Sequence, residues 1–186
     1  MQPLPPNTVL LIIDVQKGFD EPVWGRRNNP EAERNISSLL QTWRASRRPV
    51  FHVQHLSLSP GSPLREALPG CAIKHEVRPL AGEPLFQKHV NSAFIGTQLE
   101  QELRAQGYDT LCIVGLTTPH CVSTTARMAG NLGFQTYVVS DATAAFALQG
   151  PDGRKYAAEE IHAVSLATLH GEFATVVATD ALLQAL

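Results

Sequence analysis

The chain has 186 residues, 44% of them hydrophobic and 17% charged, which is long enough to bury a core and too apolar for disorder. Its 15 basic and 17 acidic residues leave a formal net charge of −2, so electrostatics give no footing for nucleic acid or an anionic membrane surface. No apolar run reaches bilayer-spanning length and the opening Met-Gln-Pro-Leu-Pro-Pro has no signal-peptide pattern. Three cysteines at unrelated spacings make neither a disulfide framework nor a zinc pattern, so a reducing, cytoplasmic setting is expected.

The elements alternate along the chain. Thr8 to Ile13 is a continuous apolar run that ends in Asp14 and reads as a strand buried on both faces. From Pro30 to Arg47 the apolar residues Ile36, Leu39, Leu40 and Trp43 recur at helical spacing. Pro49 to Val53 reads as a second strand. Ser57 to Gly82, rich in Pro and Gly, reads as loop with short helical turns, and Pro84 to Lys88 as a short third strand.

Gly96 to Gln106 places Leu99 and Leu103 on one helical face and stops at Gly107. Thr110 to Val114 is another buried strand, followed by helix from Pro119 to Asn131. Phe134 to Val139, a helix over Ala157 to Leu169 and a strand over Phe173 to Ala178 complete the series. No linker or repeat divides the chain, so one domain over residues 1–186 is expected. Alternating helices and two-sided apolar strands predict a Rossmann-like α/β sandwich, a mostly parallel sheet with helices on both faces. Chemistry in such sheets gathers at the carboxyl ends of the strands.

Three residues at those ends deserve weighing. Asp14 closes the first strand, where a carboxylate is either a turn-former or a general base whose pKa its neighbours set. Lys88 ends the third strand; it is either an ordinary surface lysine or a cation that keeps a nearby acid ionised and lowers a thiol pKa. Cys121 lies in Gly115-Leu116-Thr117-Thr118-Pro119-His120-Cys121-Val122, between a strand and a helix. With Thr118 as N-cap and Pro119 at the first helical position, Cys121 falls in the first turn, where free N–H groups favour a thiolate and can hold an oxyanion. Cys112, inside an apolar strand, reads as a small hydrophobe, and Cys71, in a Pro-Gly loop, as a bystander.

Cofactor motifs are not found. The turn Asp14-Val15-Gln16-Lys17-Gly18-Phe19 lacks a dinucleotide fingerprint, and no phosphate-binding loop occurs. The seven histidines are scattered; His52 and His55 lie close together, but no carboxylate stands among Val53, Gln54 and Leu56, so neither a metal nor any other cofactor is expected.

Taken together, these residues resemble the isochorismatase-like cysteine hydrolases. The strand running into Asp14-Val15-Gln16-Lys17-Gly18-Phe19 resembles their opening motif. Lys88 with Asn91-Ser92-Ala93-Phe94-Ile95-Gly96-Thr97 resembles their lysine motif, and Gly115 to Val122 their nucleophile motif. The three occur in order, and the resemblance runs from about residue 8 to residue 180.

The resemblance implies a six-stranded sheet, a catalytic triad of Asp14, Lys88 and Cys121, and a homo-oligomer, dimer or tetramer. It also implies a cis peptide between Leu116 and Thr117, with the N–H groups of Thr117 and Cys121 as the oxyanion hole. Nicotinamidases of this group carry an Asp and histidines for a metal after the second strand; here that stretch reads His52-Val53-Gln54-His55-Leu56-Ser57, which argues against nicotinamide as substrate. Retention of Cys121 leans toward hydrolysis of a small-molecule amide or related C–N bond through a thioester. Vinyl ether hydrolysis of the isochorismate type, a non-catalytic binding protein and a thiol redox protein remain as alternatives. Phe19, Trp24 and Phe94 flank the motifs and are expected either as pocket walls or as core. Specificity is expected from the loops Asp20 to Asn29, Ser57 to Gly82 and Ala144 to Arg154.

Overall fold

The computed structural model describes residues 3–186; Met1 and Gln2, the start of the segment read above for a leader, lie outside them. The chain runs β1 (Val9–Ile13), α1 (Ala32–Ala45), β2 (Val50–His55), β3 (Leu85–Lys88), α2 (Leu99–Ala105) and β4 (Thr110–Leu116). It continues through α3 (Ser123–Asn131), β5 (Gln135–Ala144), the hairpin β6 (Leu148–Gln149) and β7 (Lys155–Tyr156), α4 (Ala158–Ala167), β8 (Thr175–Val177) and α5 (Thr179–Leu183). Six strands form one parallel sheet in the order β3-β2-β1-β4-β5-β8. The order reverses at β1, and the crevice of such a sheet opens there, beyond the carboxyl ends of β1 and β4.

Strand β1 shows why both faces are covered. All five of its residues are buried, and successive side chains point to opposite faces. Val9, Leu11 and Ile13 join Phe51, Val53, Leu111 and Ile113 against Leu99 and Leu103 of α2 and Ala126 and Ala129 of α3. Leu10 and Ile12 join Val50, Cys112 and Val114 against Ile36, Leu39, Leu40 and Trp43 of α1 and Leu182 of α5. Each such aliphatic side chain contributes about 1.5–3 kcal/mol when fully buried. Trp43 is completely buried because its indole N–H donates to the Thr8 carbonyl, 3.0 Å away. Among the described residues no helix is long and apolar enough to cross a membrane.

Several elements differ from expectation for local reasons. β5 runs on to Ala144 because its ladder with β4 resumes after a register shift between Ile113 and Gly115, pairing Gly115 with Thr143 and Leu116 with Ala144. The expected helix at Pro119 opens instead as a π-helical turn over Thr118–Val122, with Thr117 rather than Thr118 as its N-cap and no side-chain cap bond. Two short 3₁₀ turns, Lys17–Asp20 and Pro22–Trp24, the β6–β7 hairpin and α5 carry too few residues to show a period in sequence.

Gly115 is where β1 and β4 come closest. Its φ is +118°, and a Cβ there would lie 2.0 Å from the Ile13 carbonyl oxygen. Only glycine meets both demands. Gly115→Ala should therefore destabilise the fold by at least about 2 kcal/mol in urea unfolding, through backbone strain and steric overlap. A change below about 0.5 kcal/mol, the range of a neutral surface substitution, would show that the strand contact is not needed.

Candidate active site

The sheet order delivers three side chains to one point. Asp14 follows β1 directly, in a left-handed conformation (φ +50°) that turns the chain out of the sheet, and its N–H is held by the Val53 carbonyl at 3.0 Å. Lys88 ends β3 and pairs in register with His55 at the end of β2. Cys121 sits in the π-helical turn that follows β4, and the Leu116–Thr117 peptide before that turn is cis. Since β2 lies between β1 and β3, His55 is the neighbour Lys88 passes on its way to Asp14.

Lys88 is 1% exposed, which removes the reading of a solvated surface lysine. Its ammonium lies 2.6 Å from Asp14 Oδ2, 3.1 Å from His55 Nδ1 and 3.3 Å from Cys121 Sγ. An ammonium has three N–H bonds, so each one has an acceptor. The imidazole must then accept at Nδ1 and carry its proton on Nε2, toward the Val90 carbonyl that helps hold the ring. Burial, with the Lys88 charge adding to it, pushes His55 down to about 4, so the ring is neutral at neutral pH. Gln16 fixes His55 from behind: its side chain donates to the His55 carbonyl and accepts from the His55 N–H, both at 2.9 Å.

Burial also governs the other two groups. It raises the Asp14 carboxyl above its ordinary value, against the opposing charge and hydrogen bond of Lys88 and a hydrogen bond from Cys121. Asp14 Oδ1 has no other partner, which leaves the thiol as the remaining donor that acts on the carboxylate. Burial first, and then the Asp14 charge, push the Cys121 thiol up to about 12. The resting site therefore holds Cys121 as a thiol. This corrects the expectation of a thiolate favoured by the helix start: removal from water and an adjacent anion outweigh the partial charge of the turn.

Asp14, His55 and Cys121 offer ligand atoms that all lie within 4.8 Å of one another. They do not make a good resident cation site, because the Lys88 ammonium already engages all three residues. His52, the other histidine of this stretch, points elsewhere: its Nε2 lies 2.8 Å from Glu83, which also binds Arg44.

Cys121 opens onto a cavity of about 670 Å³. Phe19 and Trp24 line it as expected, joined by Phe146, which sequence reasoning did not single out. Phe94 does not line it; it stacks on Phe134 in the core, 5.8 Å between centroids. Its segment is pinned to α3 by the Ala93 N–H bonded to Thr125 Oγ1 at 3.0 Å, which turns the ring away from the site. The specificity loops contribute Val23 and Trp24, the stretch Ser57 to Leu64, and Phe146 to Leu148. Cys71 packs against the Gln16 and Gln54 amides, and all three cysteines are free. Also unforeseen is His162 of α4, which is buried with Nδ1 2.9 Å from Thr118 Oγ1 and so ties the turn that carries Cys121 to that helix.

Comparison with known proteins gives consistent matches over nearly the whole chain. Residues 8–181 match the isochorismatase domain model. The isochorismatase family protein YrdC of Bacillus subtilis (strain 168) is 52% identical over 174 residues, covering 94% of this chain and 93% of that protein. Nicotinamidase 3 of Arabidopsis thaliana is 28% identical over 190 residues, covering 95% of this chain and 87% of its own. Among solved structures, a hydrolase assigned to the isochorismatase family from Chromobacterium violaceum superposes with a TM-score of 0.95 at 44% identity, covering 100% of this chain and 97% of that one.

His55 should behave as a positioning residue for Lys88. His55→Ala, which leaves one N–H of the ammonium unpaired, should lower kcat by about tenfold or more with little change in KM. His55→Asn, whose carbonyl oxygen can accept in place of Nδ1, should recover most of that loss. Equal kcat in wild type and His55→Ala, or no recovery with Asn in a folded protein, would show that the contact is incidental.

Proposed function

The chain belongs to the isochorismatase family of hydrolases, and within that family we propose that it cleaves a small-molecule amide or related C–N bond through a thioester on Cys121. One observation carries this reading: a single buried ammonium reaches both a carboxylate and a cysteine thiol that opens onto a cavity. Neither a binding protein nor a redox thiol needs that arrangement. A base, a nucleophile and a cation held in mutual reach are the parts that acyl transfer requires.

The steps follow from the charges. Asp14 takes the Cys121 proton as the sulfur attacks the carbonyl carbon, so the site passes from carboxylate and thiol to carboxylic acid and thiolate without changing its net charge. Burial raises both the Asp14 carboxyl and the Cys121 thiol, so the proton leaves sulfur only as the new bond to the carbonyl carbon forms. The oxyanion is received by the N–H groups of Thr117 and Cys121, whose residues border the cavity. Asp14 then gives its proton to the leaving nitrogen as the C–N bond breaks. Next it accepts a proton from water, whose oxygen attacks the thioester, and returns that proton to the sulfur as the acid departs. Lys88 keeps its contacts to Asp14 and Cys121 throughout and holds whichever partner is negative.

Cys121→Ala and Asp14→Asn should each lower amide turnover by at least about 10³-fold while the protein stays folded, because each removes a member of a unit that acts together. Intact-mass analysis with an activated acyl probe should show one acyl group on Cys121 in the wild type and none in Cys121→Ala. Ammonia release undiminished in Cys121→Ala would rule out the covalent route.

A further inference from the structure

The cavity walls say what kind of acyl group the site accepts. Phe19, Trp24 and Phe146 form a closed triangle of rings, with centroids 5.5, 5.7 and 6.2 Å apart. Their order in sequence explains why spacing alone did not reveal it: two come from the 3₁₀ turns after β1 and the third from the chain leaving β5. The Trp24 indole N–H is already spent on the Gly18 carbonyl at 2.8 Å, so the surface this cluster offers is apolar. Arg27, paired through its backbone with Phe146, is turned away into an ion pair with Glu33, which Lys74 also binds at 2.7 Å. Arg27 and Lys74 are thus used to clamp the loop, and neither borders the cavity.

The second feature is what the polar part of the lining consists of. It is made of serines, Asn91, Thr117 and two histidines; no lysine, arginine, aspartate or glutamate is among the described residues that border the cavity. Burial holds both histidines, His55 and His120, below the ordinary imidazole value, so neither supplies positive charge at neutral pH. Lys88 cannot serve a substrate anion, since its three N–H bonds already go to Asp14, His55 and Cys121. A carboxylate in this space would lose water and gain no cation, whereas a flat apolar group would gain contact with the wall that Val23, Trp24, Phe146 and Leu148 help form.

Building on the hydrolase reading above, we propose that the site takes amides whose acyl part is an uncharged, flat, largely apolar ring system, and turns away amides that also carry a carboxylate. Serine hydroxyls along Ser57 to Ser62 can satisfy neutral polar groups on such a ligand, but they cannot neutralise an anion.

The test uses benzamide, phenylacetamide and naphthylacetamide, each beside its para-carboxy or ring-carboxy counterpart. Ammonia release is followed with the wild-type protein, and binding with Cys121→Ala, read from Trp24 fluorescence; Trp43, the other tryptophan, is sealed between α1 and the sheet and serves as a constant background. Each neutral amide should bind, and kcat/KM should exceed that of its carboxylate partner by at least about 100-fold. Leu148→Arg, which sets a cation at the rim of the cavity, should shrink that ratio about tenfold or more, with kcat/KM for the carboxylate compounds rising. Carboxylate-bearing amides bound or cleaved as well as their neutral partners would overturn the proposal while leaving the hydrolase reading in place. Neutral amides bound without ammonia release would contradict the hydrolase reading and leave the ligand class standing. Failure of every neutral amide to bind Cys121→Ala would also overturn it.

Discussion

One buried ammonium, with one positive charge and three N–H bonds, has to serve two groups that would both be anions. Lys88 can neutralise Asp14 or Cys121 but not both, and the low-dielectric surroundings make a second negative charge costly. Asp14 and Cys121 therefore share one proton. In the proposed reaction, where that proton sits decides whether the site is resting, with a thiol, or attacking, with a thiolate. Burial raises both the Asp14 carboxyl and the Cys121 thiol, which keeps the proton on sulfur in the resting site and, in the proposed reaction, leaves its transfer to the moment of attack.

The fold can be read as the means of keeping that ammonium dry and in register. Lys88 reaches Asp14 from two strands away, and His55 on the strand between completes its coordination. The two core layers fix β1 and β4 side by side, and Gly115 allows the close backbone approach next to Asp14. Gln16, the second residue after Asp14, reaches back to bind both His55 backbone groups, so the turn that leaves β1 also locks the end of β2. Above this frame, the loops after β1, β2 and β5 supply the cavity and share little of the core, which is where specificity can vary without disturbing the charges.

Much of this was legible in the residues. Apolar runs bounded by Asp14, Lys88 and the Gly115 turn placed the strands, and the helical stripes of α1 and α2 followed from Leu spacing. Position alone left Asp14 and Lys88 ambiguous; it was their resemblance to known motifs that joined them, and the sheet order brings them together. Three things were beyond the sequence because they depend on contacts across the chain. His55 lies one strand from its partner Lys88, so no local pattern marks it. Phe94 takes the core alternative because the hydrogen bond of Ala93 to Thr125 aims it inward, while the extended β5 carries Phe146, which no motif marked, to the cavity. The thiol pKa follows from burial and the Asp14 charge, which outweigh the turn that the Thr-Pro pattern announced.

The most direct measurement is the ultraviolet absorbance of the Cys121 thiolate across pH, taken as the difference between the wild type and Cys121→Ser. Shared-proton chemistry around one ammonium predicts no Cys121 thiolate at neutral pH in the free enzyme, with the signal rising only in strongly alkaline solution. It further predicts that Asp14→Asn, which frees Lys88 to serve sulfur alone, moves that rise to lower pH even as turnover is lost. A wild-type thiolate already present at neutral pH and unmoved by Asp14→Asn would contradict it.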